Sequence, residues 1–269
     1  MTSLEKNNES KTESGQVDKS PDRIRGMFNE TAARYDLLNH LLSFGIDFYW
    51  RRQTVRQVMK IVLPQKGETL SAPLLDVAAG TGDLSLGLYR GIQRRKGTRP
   101  ASDPYVLGVD FSPEMLAIAK EKAGRKKLES EVVFQEADGL NLPFESDRFS
   151  AVTIAFGLRN MSDTDRGISE MIRVCRPGGV VAILEFTMPT FLPYAVVYRF
   201  YFKYILPVIG RIVSGRNNRA YEYLPQSVVE FDNREKMKER LQKAGLTDVQ
   251  ARSMTFGTAT LYQGTKITS

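Results

Sequence analysis

From residue 73 onward, short apolar runs rich in β-branched side chains alternate with segments of helical spacing. LLDVAA (74–79), VLGVDF (106–111), VVFQEAD (132–138), FSAVTIAF (149–156) and VVAILEF (180–186) read as strands, and 113–127 and 163–175 as helices. Strands alternating with helices predict a doubly wound α/β sheet. Arg176-Pro177-Gly178-Gly179 reads as a turn that stops one helix and launches the fifth strand. Near the end, TDVQARSMT (247–255) and TATLYQGTK (258–266) flank Phe256-Gly257, which predicts an antiparallel pair and a seven-stranded, mostly parallel sheet.

Ahead of this pattern, Ser20-Pro21-Asp22 is a helix start, with a hydroxyl cap, a first-turn proline and an acid near the positive end of the dipole. Apolar residues follow at Ile24, Met27, Phe28, Ala32 and Tyr35, and the helical pattern continues with breaks through Trp50 to Pro64. The expected organisation is a polar tail over 1–20, a helical extension or lid over 21–64, and a main domain over 65–269 with an aromatic and basic insertion at about 190–219. The tail has no apolar run and four acids, which argues against a secretory signal or an acid-poor transit peptide.

With 42% hydrophobic and 26% charged residues, the chain has the balance of a globular protein with a sizeable core. Cys175 is the only cysteine and His40 the only histidine, so an internal disulfide is excluded and no metal site is expected. Cytoplasmic conditions suit such a chain. A net charge of +7 points to an anionic partner, either nucleic acid or a lipid surface.

LLDVAAGTGDLS runs from an apolar strand into a glycine-rich turn. A dinucleotide fingerprint needs a third glycine and bare amides for the pyrophosphate, but Gly80-Thr81-Gly82 is followed by Asp83, and Asp76 lies just upstream. Two carboxylates bracketing the loop would repel a diphosphate and suit a cation. S-adenosyl-L-methionine (AdoMet), with a sulfonium and no phosphate, is such a ligand. Asp110, ending the second strand, is placed for the ribose hydroxyls. Asp138, ending the third, is placed for the adenine amino group, and Gly139 lets the base approach the backbone.

Three motifs in order carry a resemblance: Tyr35-Asp36-Leu37-Leu38-Asn39 with Ser43 and Trp50; Phe156-Gly157-Leu158-Arg159-Asn160; and Arg173-Val174-Cys175-Arg176-Pro177-Gly178-Gly179 through Leu184-Glu185. From about Gly26 to Lys266 the chain resembles the ubiquinone/menaquinone biosynthesis C-methyltransferases. The resemblance implies a class I AdoMet-dependent, Rossmann-like methyltransferase fold and C-methylation of a polyprenylated quinol ring. It also implies that Thr81, Asp110, Asp138 and Gly139 hold the cofactor, beside Asp76, Gly80, Gly82 and Ala155. The family usually has His where Asp47 stands, and Ser at Ala155 and Thr187; Asp47 puts in doubt a neutral base at that position.

A quinol ring carbon attacks a methyl group far better when the neighbouring hydroxyl is ionised, and a phenol-like pKa of ~10 leaves about one molecule in a thousand ionised at neutral pH. A base or a cation beside the oxygen is therefore needed. The candidates are Arg159 to hold the quinolate oxygen, Asn160 to orient it, His40 as base, and Tyr35 with Asp36 closing over the substrate. Each has a structural counterpart: an arginine paired to an acid, a packed histidine, a capping residue.

Residues 190–213 contain seven aromatics, three basic residues and no acid, which suits an interfacial segment or lid and not a membrane span. Arg216 and Arg219 extend it. Charge beside an apolar surface favours a lipid partner, peripheral at the inner face of the membrane, over nucleic acid. A demethylmenaquinol is the expected acceptor, and a benzoquinol of the ubiquinone route the alternative. From other classes there remain a nucleic-acid methyltransferase, which lacks an amide-methylating loop after the fourth strand, an AdoMet-binding scaffold without turnover, and a dehydrogenase. The sequence allows a homodimer without requiring one.

Overall fold

The computed structural model describes residues 19–20, 22–27, 29, 40, 43, 45–99, 103–189, 191–205, 227–231 and 233–267. Seven strands form one sheet: β1 (Leu74–Val77), β2 (Val106–Asp110), β3 (Val132–Glu136), β4 (Phe149–Ala155), β5 (Cys175–Phe186), β6 (Leu246–Met254) and β7 (Ala259–Lys266). Their order is β3-β2-β1-β4-β5-β7-β6. The first five are parallel, and β7 pairs antiparallel with both β5 and β6. The chain order reverses between β1 and β4, where open α/β sheets place their ligands.

Six labelled helices flank the sheet: α1 (Ile46–Val62), α2 (Asp83–Arg94), α3 (Pro113–Gly124), α4 (Thr164–Val174), α5 (Leu192–Phe200) and α6 (Arg234–Lys243). Leu74 of β1 packs in one core with α1, α2 and α3 side chains such as Met59, Leu88 and Leu116, while Leu75 and Val77 pack in the other with Met171 and Leu241. Both faces are therefore covered, which is why the parallel strands read as continuous apolar runs. Three helices begin as capping rules require: Ser112, Asp163 and Asn233 each accept a backbone N–H three residues on.

Two expectations change in detail. The fifth strand begins at Cys175, and the Arg176–Gly179 segment is looped out within it: Cys175 pairs with Phe149, and the next pairing is Val180 with Ala151. Gly178 supplies the left-handed backbone there, at φ 72°. The helical pattern leading to Pro64 resolves into α1, whose Trp50, Val58 and Met59 join the main core. Residues 22–27 are helical and start as predicted, with Ile24 N–H on the Ser20 carbonyl at 3.0 Å. Phe28, Ala32, Tyr35 and Asp36 lie outside the described residues.

Candidate active site

Where β1 and β4 end side by side, two non-glycine residues take left-handed backbone, Ala78 (φ 50°) and Phe156 (φ 60°). Such positions cost roughly 1–3 kcal/mol each and cluster around functional sites. Gly157 follows, and a Cβ there would lie 2.6 Å from the Ala78 Cβ, so the two strand ends close on each other only because it is glycine. Beside them opens a cleft of ≈ 530 Å³, its mouth included, lined by Ile24, Val77, Asp110, Asp138, Gly139 and Asn160 among others. An adjoining hollow adds Gly80, Ala155 and Phe156. This size and largely apolar lining suit a small-molecule site.

Asp110 is one of the two carboxylates that line the cleft. It is the last residue of β2, 6% exposed, and its oxygens accept the N–H groups of Gly80 (2.8 Å) and Ser112 (2.9 Å). Burial raises its pKa, against those hydrogen bonds. Each oxygen keeps lone pairs for further donors. Asp138 accepts Leu140 N–H at 2.9 Å, and a Cβ on Gly139 would lie 2.6 Å from Met161 Cε and 3.2 Å from Val77 Cγ1, so a side chain there would crowd this edge.

The two carboxylates expected to bracket the loop do not form such a pair. Asp76 is 1% exposed and lines neither hollow; it accepts Ser85 Oγ (2.6 Å) and Thr153 Oγ1 (2.8 Å). Burial pushes its carboxyl up to about 6. It lies one residue short of the end of β1, so strand alternation turns it sideways under α2. Asp83 faces Lys122 Nζ at 2.7 Å. Thr81 Oγ1 takes the same ammonium at 3.1 Å, and Gly82 packs on Phe134, where a Cβ would lie 2.7 Å from the ring. Thr81, Gly82 and Asp76 thus shape the loop, while Gly80, Asp110, Asp138, Gly139 and Ala155 line the cavity.

Arg159 is placed differently from the expectation. It is 5% exposed, its Nη1 lies 2.7 Å from Glu185 Oε1 and also donates to the Phe156 carbonyl, and its guanidinium sits over the Phe186 ring at 5.2 Å. The strand-end acid claims it, and it is not among the lining residues. Its neighbour Asn160 does line the cleft. Asn160 Nδ2 donates to the Phe156 carbonyl at 3.3 Å, while its buried Oδ1 has no partner among the described residues.

His40 also departs from the role of base at the cleft. Its Nδ1 is 2.8 Å from Asp47, its Nε2 3.7 Å from Asp83, and its ring stacks on Phe48. It lines neither hollow. Asp47 is 2% exposed, accepts Ser43 Oγ at 2.6 Å and pairs with Arg51. Burial pushes its carboxyl up, but Arg51, Ser43 and His40 together hold it below its usual range. It is an anchor for the segment entering α1. Tyr35 lies outside the described residues.

Sequence reasoning expected an N-terminal extension or lid but missed which of its residues meet the cleft. Ile24 and Lys19 line it, Arg25 pairs with Glu136 at 2.6 Å, and Ser112 Oγ donates to Asn29 at 2.7 Å. It also missed Glu185 as the partner of Arg159. The available signal was an acid ending one strand beside a basic loop after its neighbour.

The model of the ubiE/COQ5 methyltransferase family matches residues 16–266. The demethylmenaquinone methyltransferase of Thermus thermophilus is 44% identical over 238 residues, 88% of this chain and 99% of that one. The ubiquinone/menaquinone biosynthesis C-methyltransferase UbiE of Geobacter sulfurreducens is 42% identical over 245 residues, 91% of this chain and 89% of that one. The structure of Haemonchus contortus phosphoethanolamine N-methyltransferase 2 in complex with S-adenosyl-L-methionine shares the fold, with a TM-score of 0.54 at 18% identity, over 80% of this chain and 53% of that one.

Proposed function

This chain belongs to the ubiE/COQ5 methyltransferase family, and on that footing we propose that it is an AdoMet-dependent enzyme that C-methylates a polyprenylated demethylmenaquinol to menaquinol, the last step of menaquinone biosynthesis. The observation that carries this reading is the cleft at the switch point of the sheet, with the Asp110 carboxylate at its wall and glycine at 139. The residues present fit the cofactor: Asp110 for the ribose hydroxyls, Asp138 and Gly139 for the adenine, and apolar Val77 and Leu140 beside it. When bound, AdoMet supplies a sulfonium methyl open to in-line attack by a carbon nucleophile.

The chain's own task is to hold and orient the acceptor ring. Asn160 Oδ1, buried and unpaired among the described residues, accepts a hydrogen bond from a quinol hydroxyl and orients the ring. The Arg159–Glu185 pair fixes the loop that carries Asn160. The N-terminal segment around Ile24 excludes water from the cleft, which strengthens every polar contact within it.

The acceptor's prenyl tail places the enzyme at the inner face of the membrane as a peripheral protein. Supporting this, α5 leaves Leu192, Val196 and Phe200 more than half exposed, at 74%, 61% and 56%. No described helix is long and apolar enough to cross a membrane.

The test offers methyl-labelled AdoMet with a demethylnaphthoquinol and a demethylbenzoquinol at equal concentration. Label should favour the naphthoquinol by about tenfold or more. Label in the benzoquinol alone moves the enzyme to the ubiquinone route. Tight AdoMet binding with neither quinol labelled would overturn the acceptor assignment.

A further inference from the structure

A second depression, larger than the cleft, lies between α1 and α2 and encloses ≈ 1560 Å³ with its open mouth. Arg52 with Arg56 on α1, and Arg90 with Arg94 on α2, line it as two pairs one helical turn apart, joined by Lys66 and Arg95, while a seventh cation, Arg51, is paired with Asp47. The helices meet closely enough to present both pairs to one trough because residue 91 is glycine: a Cβ there would lie 2.6 Å from Val55 Cγ1. The single acid of the lining, Asp83, is taken by Lys122. Among the described residues none of these six cations has an acidic partner within ion-pair distance. Like charges one turn apart weaken a helix, so the arrangement calls for an external anion.

The surroundings point to the kind of anion. Phe48 and Tyr49, 57% and 48% exposed, line the same trough. Trp50 follows and donates its indole N–H to Thr255 at 2.8 Å. Phe256, 67% exposed, has its ring centroid 6.2 Å from that of Phe191 and 5.1 Å from that of Tyr194. Exposed aromatic rings thus stand at one end of the basic trough, and a second exposed aromatic cluster stands beside α5. Guanidinium groups beside exposed aromatic rings match the headgroup level of a lipid interface. A single-stranded nucleic acid would want aromatic platforms along the trough, and here they stand at one end of it.

We propose that this groove docks the phosphate headgroups of anionic phospholipids and so orients the enzyme with α5 in the interface. The proposal rests on the reading that the enzyme works at a membrane.

The test measures partition of the full chain onto vesicles of phosphatidylcholine with and without phosphatidylglycerol, for the wild type and for Arg52→Gln/Arg56→Gln and Arg90→Gln/Arg94→Gln. Each double variant should lose on the order of tenfold or more in partition onto the phosphatidylglycerol vesicles, with a weaker salt dependence and no change on phosphatidylcholine alone. AdoMet binding and methyl transfer to a detergent-dispersed quinol should be unchanged, which keeps folding and the catalytic reading separate from the docking result. Wild-type partition by both variants would overturn the proposal. So would loss of binding to an RNA oligonucleotide with vesicle binding intact. Failure of the wild type to methylate the dispersed quinol would instead overturn the function proposed above.

Discussion

Arg159 and Glu185 meet at 2.7 Å with their side chains 7% and 0% exposed. Glu185 also accepts the backbone N–H groups of Arg159 (3.2 Å) and Phe186 (2.9 Å). The pair therefore ties the loop after β4 to the end of β5 at the rim of the cleft, and the arginine is a positioning residue.

Removing one partner leaves a buried charge unmet. Arg159→Ala is expected to destabilise the fold by about 3–5 kcal/mol. Arg159→Met together with Glu185→Leu should recover part of that, because the double change leaves no bare charge, though it frees the buried N–H groups of Arg159 and Phe186. Denaturant unfolding of the three chains checks this; a double variant as unstable as the single one would refute it.

At Asp110 the expected effect falls on the cofactor. Asp110→Ala removes the carboxylate from the cleft and frees the Gly80 and Ser112 N–H groups that hold the loop. Hydrogen bonds to a charged group are worth ~1.5–3 kcal/mol each, so AdoMet affinity should fall on the order of a hundredfold. Titration calorimetry reads this directly, and an unchanged Kd would remove Asp110 from the site.

A bulkier side chain at residue 139 should act by exclusion. The first added carbon already meets Met161 Cε at 2.6 Å and Val77 Cγ1 at 3.2 Å. Gly139→Val is therefore expected to weaken AdoMet binding at least tenfold while the midpoint of thermal unfolding moves little, because the Met161 side chain is flexible.

Asp76 makes a pH prediction. Burial raises its carboxyl from the usual 3.8 to about 6, so between those values the folded chain holds more protons than the unfolded one. Its contribution is present in full below the unfolded value and is lost as the pH rises through 6, by about 3 kcal/mol in all. Asp76→Asn lacks this dependence, so its stability relative to the wild type should improve by that amount between about pH 4 and 7. A constant difference across the range would contradict it.

The strands were legible because β1, β2, β4 and β5 are buried on both faces and bounded by turn residues, so each reads as an unbroken apolar run. Facing was less legible than spacing. Asp76 lies inside the first apolar run and Asp110 ends the second strand, and that difference in position decides which of the two reaches the cleft. The Arg159–Glu185 pair spans β4 and β5, whose register is shifted by the looped-out Arg176–Gly179 segment, so local pattern could not bring the two together. His40 finds Asp47 seven residues on and Asp83 across the fold, and these partners take it from the cleft.

The central claim is transfer of the AdoMet methyl to a carbon of the reduced ring. A single turnover with methyl-labelled AdoMet, run on a demethylnaphthoquinol and on its oxidised quinone and followed by mass spectrometry of the product ring, tests it most directly. The account predicts a carbon-bound labelled methyl in the quinol and none in the quinone. Label on oxygen, or equal labelling of the quinone, would contradict it.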